Sequence, residues 1–313
     1  MSVYDLESVS GELTRTAVTV GMFDGVHLGH RALLEALREE ARRIHGQSVV
    51  LTFDRHPSVT LRPEKAPKFI NTLEQRLAAL DGAGVDAIVV ATFDRAISEM
   101  SPREFFEEIL LRRLKTAVVV VGPDFRFGKN RAGDFATMSE LGLERGVAAV
   151  AIAPIRVDEA PVSSTRIRTL LRHGAVEQAG KLLGRPFVLE GVVVKGAGLG
   201  KKLGFPTANL QIEDGQLIPG QGVYSADAVA RNSAYPAVAS IGSRPTVGGT
   251  GVVVEAHIVG FDEDIYGEHI RLGFRARLRD QRKFASLDAL VEQMRRDLET
   301  VPQPQPAFVP HPD

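Results

Sequence analysis

GMFDGVHLGH, from Gly21 to His30, is the stretch whose reading decides the fold of the first half of this 313-residue chain. TAVTV before it (Thr16 to Val20) is apolar and β-branched enough for a buried strand, and ALLEALREEARRI after it carries the three-and-four apolar spacing of a helix. The motif therefore occupies a strand-to-helix turn. Unpaired backbone N–H groups and the positive end of the helix dipole favour an anion there, and glycines let oxygens approach the main chain. His27 and His30, three apart, fall on neighbouring positions of a first helical turn, so both reach one bound triphosphate. Spacing alone leaves a second reading open, a tight turn with two surface histidines. A zinc site is the weaker alternative, since HxxH supplies two ligands and the chain has no cysteine.

Outward from that turn, strand and helix alternate. Apolar runs at Thr16 to Val20, Val49 to Phe53, Ala87 to Thr92, Ala117 to Val121 and Ala148 to Ile152 are separated by helical patterns. Those patterns cover Arg31 to Ile44, Leu73 to Leu80, Pro102 to Leu114 and Met138 to Arg145. This predicts an α/β domain, a parallel sheet with helices on both faces and ligands outside the carboxyl ends of the strands. Ser101-Pro102-Arg103-Glu104 and Thr137-Met138-Ser139-Glu140 read as capping boxes.

Three further polar motifs follow strands. TFDRHP (Thr52 to Pro57) holds His56 before a proline that disfavours helix, and a plain loop histidine is the competing reading. GPDFRFGKNRAG (Gly122 to Gly133) combines Asp124, Arg126, Lys129 and Arg131 with Phe125 and Phe127. Such a loop offers cations to phosphate and ring faces to a flat ligand, unless its phenylalanines only anchor it. SSTRIR (Ser163 to Arg168) opens a helix that runs to His173-Gly174, with Ser163 or Ser164 as cap.

At LLGRPFVLEG the character changes. FVLEGVVV, GVYSADAVA, YPAVASIG, GVVVEAHIVG and YGEHIRLGFRARL are strand-like runs with turn residues between them, predicting an antiparallel barrel. One helix, Leu287 to Leu298, follows Ser286 as its cap, and the proline-rich end reads as extended and disordered. GLGKKLGFPTANL (Gly198 to Leu210) is a basic glycine loop followed by Thr207 and Asn209, whose oxygens suit Mg²⁺ shared with nucleotide phosphates; a simple turn is the alternative. Glu255 lies within an apolar strand, where a carboxylate needs a site, a partner or a face in water.

GMFDGVHLGH resembles the histidine signature of nucleotidylyltransferases, and in its longer form that of the bacterial bifunctional riboflavin kinase and FAD synthetase family. The DFRFG loop and SSTRIR match the synthetase half of that family; LGFPTAN, SIGSRPT (Ser240 to Thr246), the strand glutamate and Tyr266-Gly267 match the kinase half in order. The resemblance implies a Rossmann-like FMN adenylyltransferase domain at residues 1–186, a riboflavin kinase barrel at 187–301 and a tail at 302–313. It implies Glu255 as general base, with His27 and His30 as catalytic residues of adenylyl transfer. Gly21, Phe23, Asp24, Gly25, Ser163, Ser164, Thr165 and Arg168 would bind ATP there, and His56, Asp124, Phe125, Phe127 and Arg131 the flavin. In the kinase half Gly196, Gly198, Gly200, Lys201, Thr207 and Asn209 would bind ATP, the last two through Mg²⁺. Departures from the family pattern stand at Lys195, Leu199 and Ser240.

ATP, riboflavin and FMN are the implied substrates. A net charge of −1 supplies no basic field for nucleic acid, and no run of about eighteen apolar residues calls for a membrane, so cytoplasmic placement is expected. Two rival functions remain: a nucleotidylyltransferase for another phosphate acceptor, and a non-catalytic flavin sensor.

Overall fold

The computed structural model describes residues 2–9, 11–56, 58, 64, 66–196, 198, 200, 203–246 and 249–303. Two compact units divide the chain, Met1–Ser163 and Ser164–Asp313.

In the first unit six strands form a parallel sheet in the order β1-β4-β3-β2-β5-β6. They are β1 (Ser2–Asp5), β2 (Thr16–Val20), β3 (Gln47–Phe53), β4 (Ala87–Ala91), β5 (Thr116–Val121) and β6 (Ala148–Ala151). The strand at the β4 edge, β1, has no counterpart in the sequence reading, because SVYD is short, half polar and exposed along one edge. Alternate residues face opposite ways. Val49, Leu51, Phe53, Val119 and Val121 join one core, while Val50, Val118 and Val120 join another beneath Leu33, Leu34 and Leu37 of α1 (Leu28–Arg43). Helices on both faces follow, as expected. From β2 the chain winds outward through β3 and β4 on one side and β5 and β6 on the other, so strand order switches between β2 and β5.

Helix starts are set by side-chain caps. Thr72 and Gln75 form a reciprocal capping box on α2 (Leu73–Asp81). A short helix, α3 (Arg95–Glu99), is capped by Asp94. Ser101 and Glu104 form the expected box on α4 (Pro102–Glu104), which continues as a π-helical segment, Phe105–Arg113. Thr116 and Thr16 hydroxyls donate to the carbonyls of Leu110 and Leu114, each at 2.6 Å, and so satisfy the widened end of that segment. The second expected box is corrected. Helix α5 (Phe135–Arg145) starts three residues early, with Asp134 as cap, and Thr137 is the third helical residue, its N–H donating to Asp134 at 3.1 Å. The carboxylate of Asp134 lies just past the Phe127–Gly133 bridge that closes the preceding loop, so the chain enters the helix there.

A two-residue hairpin, β7 (Arg156–Val157) with β8 (Ala160–Pro161), leads to the second unit. This unit opens with α6 (Ser164–Arg172) and α7 (Val176–Leu183), whereas the sequence reading set its boundary at 186/187. The reason is packing: α7 lies on β9 (Phe187–Val194) and β14 (His269–Arg279) and buries Val176, Ala179, Leu182 and Leu183. β10 (Ala208–Ile212), β11 (Gly222–Ala230), β12 (Ser233–Thr246) and β13 (Gly249–Ile258) complete a closed antiparallel barrel, β10-β13-β12-β11-β14-β9. Small residues (Ala226, Ala228, Ala237, Ala239, Ala256) fill its interior beside Phe187, Tyr224 and Phe274, as a six-stranded barrel requires. Helix α8 (Leu287–Glu299), capped by Ser286 as expected, follows β14. The proline-rich segment from 304 onward lies outside the described residues.

Candidate active sites

At the carboxyl end of the sheet, β3, β2 and β5 are neighbours, so TFDRHP, GMFDGVHLGH and GPDFRFG all leave the same edge. The central turn is strained. Phe23 (φ 50°), Gly25 (φ 89°) and Val26 (φ 39°) are all left-handed, and for a β-branched valine that costs on the order of 1–3 kcal/mol. His27 is the N-cap of α1, not a first-turn residue: its Nδ1 accepts the backbone N–H of His30 at 3.2 Å. The imidazoles of His27 and His30 stack with centroids 3.6 Å apart and planes 11° from parallel. Between them, Gly29 lies close against the ring, since a Cβ there would stand 3.2 Å from His27 Cε1 and press on it.

Phe23 packs against His30 at 5.1 Å, and the Nδ1 of His30 is buried without a hydrogen-bond partner among the described residues. Burial, then the neighbouring His27, holds the His30 imidazole well below the usual histidine range. A histidine whose folded pKa is depressed binds its proton more readily in the unfolded chain, so stability is fully present above about 6.5 and is lost as pH falls through the window below it. Between pH 7.0 and 5.5 the melting temperature of the wild type should therefore drop more than that of His30→Gln. Equal drops would show that His30 does not titrate in that window.

Asp24 is 4% exposed and its carboxylate accepts the N–H groups of Ile70 (2.8 Å) and Asn71 (3.3 Å), which fixes the turn from within. Gly21 lies against the Phe23 ring. His56 accepts the Ser58 N–H at 3.1 Å and meets Phe69 edge-on. In the loop after β5, Phe125 stacks on Phe127 at 5.3 Å, and Phe127 is buried in the core, so one phenylalanine anchors and the other stays half-exposed. Asp124 and Arg131 are exposed; Lys129 pairs with Glu99 at 2.5 Å. Ser163 ends the first unit, and Ser164, Thr165 and Arg168 lie in the first turns of α6 in the second.

In the barrel, PTAN is not a turn. Ala208 opens β10 with Thr207 just before it, and Asn209 stands opposite Glu255 of β13, which in turn stands opposite Ser240 of β12. The three side chains form one row across three strands. Glu255 interrupts its apolar strand because Val254, Ala256 and Ile258 face the barrel interior while Glu255 and His257 face a cavity of about 310 Å³. Leu203, Phe205, Phe284, Leu290 and Met294 supply apolar walls there, and Thr207, Glu255, Arg279 and Arg282 polar groups. Sequence reasoning missed the α8 side of this cavity. Its organiser is the buried Asp297, which accepts Arg279 Nη2 at 2.7 Å and Gln293 Nε2 at 2.7 Å, with Arg279 5.6 Å and Arg282 4.8 Å from the Phe284 ring. Arg279 and Asp297 are eighteen positions apart in a region read only as strand and helix, so no local pattern announced the pair.

The expected glycine loop is partly close packing. A Cβ on Gly196 would collide with the Asn209 amide and one on Gly200 with the Phe205 carbonyl, whereas Gly198 takes φ +70° in open space. Lys201 and Leu199 lie outside the described residues. Ser240 accepts Gln281 Nε2 at 2.9 Å. A second cavity, about 330 Å³, is lined by Thr207 as well, with Phe261, Asp262, Asp264 and Tyr266. Thr207 is thus shared by both. Among the described residues no group of three or more His, Cys, Asp or Glu is placed to hold a metal.

Each unit has its own relatives. The FAD synthetase family model matches residues 10–166 and the riboflavin kinase model residues 183–303. The bifunctional riboflavin kinase/FMN adenylyltransferase of Escherichia coli (strain K12) is 37% identical over 281 residues, 90% of each chain. That of Pseudomonas fluorescens is 36% identical over 95% of each, and that of Bacillus subtilis (strain 168) 31% over 92% of each. A crystal structure described as a macrolide-efflux protein from Streptococcus pneumoniae superposes with a TM-score of 0.88 at 30% identity, covering 96% of this chain and 98% of that one. No helix among the described residues is long and apolar enough to cross a membrane. With both halves matched in order and near-complete coverage, the chain belongs to the bifunctional riboflavin kinase/FMN adenylyltransferase family.

Proposed function

We propose that the chain's two reactions run at two separate sites, riboflavin phosphorylation in the barrel and FMN adenylylation at the carboxyl end of the parallel sheet. The enzyme phosphorylates riboflavin with ATP to FMN, then adenylylates FMN with a second ATP to FAD and pyrophosphate. The observation that carries the division is the presence of distinct polar constellations, His27–His30 and Thr207–Asn209–Glu255, in two compact units.

In the barrel, Glu255 accepts the proton of the ribityl 5′-hydroxyl as that oxygen attacks the γ-phosphorus and ADP departs. Riboflavin occupies the cavity that Glu255 lines, whose apolar walls suit a flat ring system. ATP phosphates lie at Thr207, leaving the adenosine to the second cavity. Neutral oxygens of Thr207 and Asn209 fit a Mg²⁺ ion that arrives with the triphosphate, since such an ion takes most of its ligands from phosphates and water. It would screen the charge of the transferred group. At the sheet, an FMN phosphate oxygen attacks the α-phosphorus and the bond to the β-phosphate oxygen breaks. That nucleophile is already ionised, so no strong base is needed and no covalent enzyme intermediate forms. His27, with Nδ1 engaged at the helix cap, presents Nε2 to phosphate, and His30 gains a proton as the triphosphate counters the effect of burial.

Small molecules are the partners in this reading, and its place is the cytoplasm, where ATP is available. Near-zero net charge and the absence of cysteine support both. A fragment from Ser164 to Gln303 is expected to make FMN and no FAD. One starting at Phe187 loses the α7 cover, including Val176, Leu182 and Leu183, at a cost of about 5 kcal/mol, and should melt well below the longer fragment. A folded longer fragment that leaves riboflavin unphosphorylated would show that the kinase site needs the first unit.

A further inference from the structure

Arg76 belongs to no motif of the sequence, yet it is 2% exposed and its guanidinium reaches two strand ends from α2. Nη1 donates to the Met22 carbonyl at 2.9 Å and Nη2 to the Phe53 carbonyl at 2.5 Å. Met22 lies in the strained turn that leads to His27 and His30. Phe53 ends β3 and passes directly into Asp54, Arg55 and His56. One side chain thus ties the turn read as the ATP site to the segment read as part of the flavin site.

The surroundings fit a fixed charge. Asp24 and Asp54 favour the guanidinium and oppose the effect of burial, which is the larger influence and lowers its pKa. Asp24 is itself held by the N–H groups of Ile70 and Asn71 just before α2, and Asp54 by the Phe93 N–H at 3.1 Å. The Phe69 ring lies 5.8 Å from the guanidinium carbon. A buried arginine ordinarily offers its fork to a carboxylate. Here two main-chain carbonyls take the fork, and Nε has no hydrogen-bond partner among the described residues. Burying a charge in this way is costly for the fold; what the guanidinium adds is a tie between the Met22 and Phe53 carbonyls, beyond the last β2–β3 bond from the Gly21 N–H to the Leu51 carbonyl.

We propose that Arg76 is a positioning residue for adenylyl transfer, setting the nucleotide turn Gly21–His30 against the acceptor segment Asp54–His56. The inference rests on the reading that these two segments hold the two substrates. In-line attack needs the reacting atoms about 3–3.5 Å apart, and a displacement of about 1 Å costs on the order of 10²-fold while each substrate keeps its own contacts. The loss therefore falls on kcat rather than on KM.

The test uses the full chain with Arg76→Lys and Arg76→Met, measuring FAD formation from supplied FMN with ATP and FMN varied, beside FMN formation from riboflavin. Arg76→Lys keeps the charge but cannot hold both carbonyls, so adenylylation kcat should fall about tenfold or more with KM values within about threefold, and kinase activity should not change. Near-normal adenylylation kcat in either folded variant would overturn the role. So would loss of the fold in both, which would assign Arg76 to stability alone. His30→Ala run alongside separates the two failures. Normal adenylylation there refutes the placement of the substrates, whereas a crippled His30→Ala beside a normal Arg76→Lys refutes only the function of Arg76.

Discussion

Glu255→Gln is expected to lower the single-turnover rate of riboflavin phosphorylation by about 10²- to 10⁴-fold, the usual worth of a general base. The substitution keeps the shape of the side chain in its row between Asn209 and Ser240 and removes its charge and its basicity. Packing changes little, because the neighbouring Val254 and Ala256 that fill the barrel interior are untouched. ATP should still bind, and FAD formation from supplied FMN should continue at the wild-type rate, since its nucleophile is an anion acted on in the other unit. A variant that melts normally and phosphorylates riboflavin at near wild-type rate would return Glu255 to the role of a strand residue beside a cavity.

His30→Ala should depress FAD formation by on the order of 10²-fold or more, by analogy with the loss of one preorganised donor at a developing charge. Structure makes this a clean substitution. His27 accepts from the backbone N–H of residue 30, which alanine retains, so the cap on α1 survives. The buried Nδ1, which has no partner among the described residues, disappears with the ring, and alanine is the best helix former at such a position. Riboflavin phosphorylation should remain near the wild-type rate, because Thr207, Asn209 and Glu255 lie in the other unit. An equal loss of both activities would show that His30 does not serve one site alone.

Much of the architecture was legible because periodicity carries it. β2, β9 and β11 run over the same residues as their apolar patterns, and the helical patterns after β2 and β14 become α1 and α8. What failed to show were features fixed by partners distant in sequence. β1 is a strand because β4 offers an edge, and α7 belongs with the barrel because four buried side chains meet β9 and β14. The start of α5 is ambiguous in the sequence because Asp134 and Thr137 are both good caps, and only the closed Phe127–Gly133 loop chooses between them.

Of the sites, residue types at short spacing were visible and their division of labour was not. HLGH announces two histidines close together at a strand-to-helix turn. That His27 would be the cap, that Gly29 would lie against its ring, and that burial beside His27 would lower the pKa of His30 are set by the folded turn and not by the spacing. The sequence places Asp24 among the residues that would bind ATP, and it gives no sign that the same carboxylate accepts the N–H groups of Ile70 and Asn71 just before α2. Arg76 and Asp297 gave no signal, because a charged residue on an amphipathic helix reads as solvated until the fold buries it.

The most direct measurement mixes the two single variants with riboflavin, ATP and Mg²⁺ and follows FMN and FAD. Alone, Glu255→Gln should make FAD only from added FMN, and His30→Ala should stop at FMN. Together they should carry riboflavin through to FAD, the first step supplied by one protein and the second by the other. Two separate sites predict that complementation. Loss of both reactions in either folded variant, with no FAD from the mixture, would contradict it.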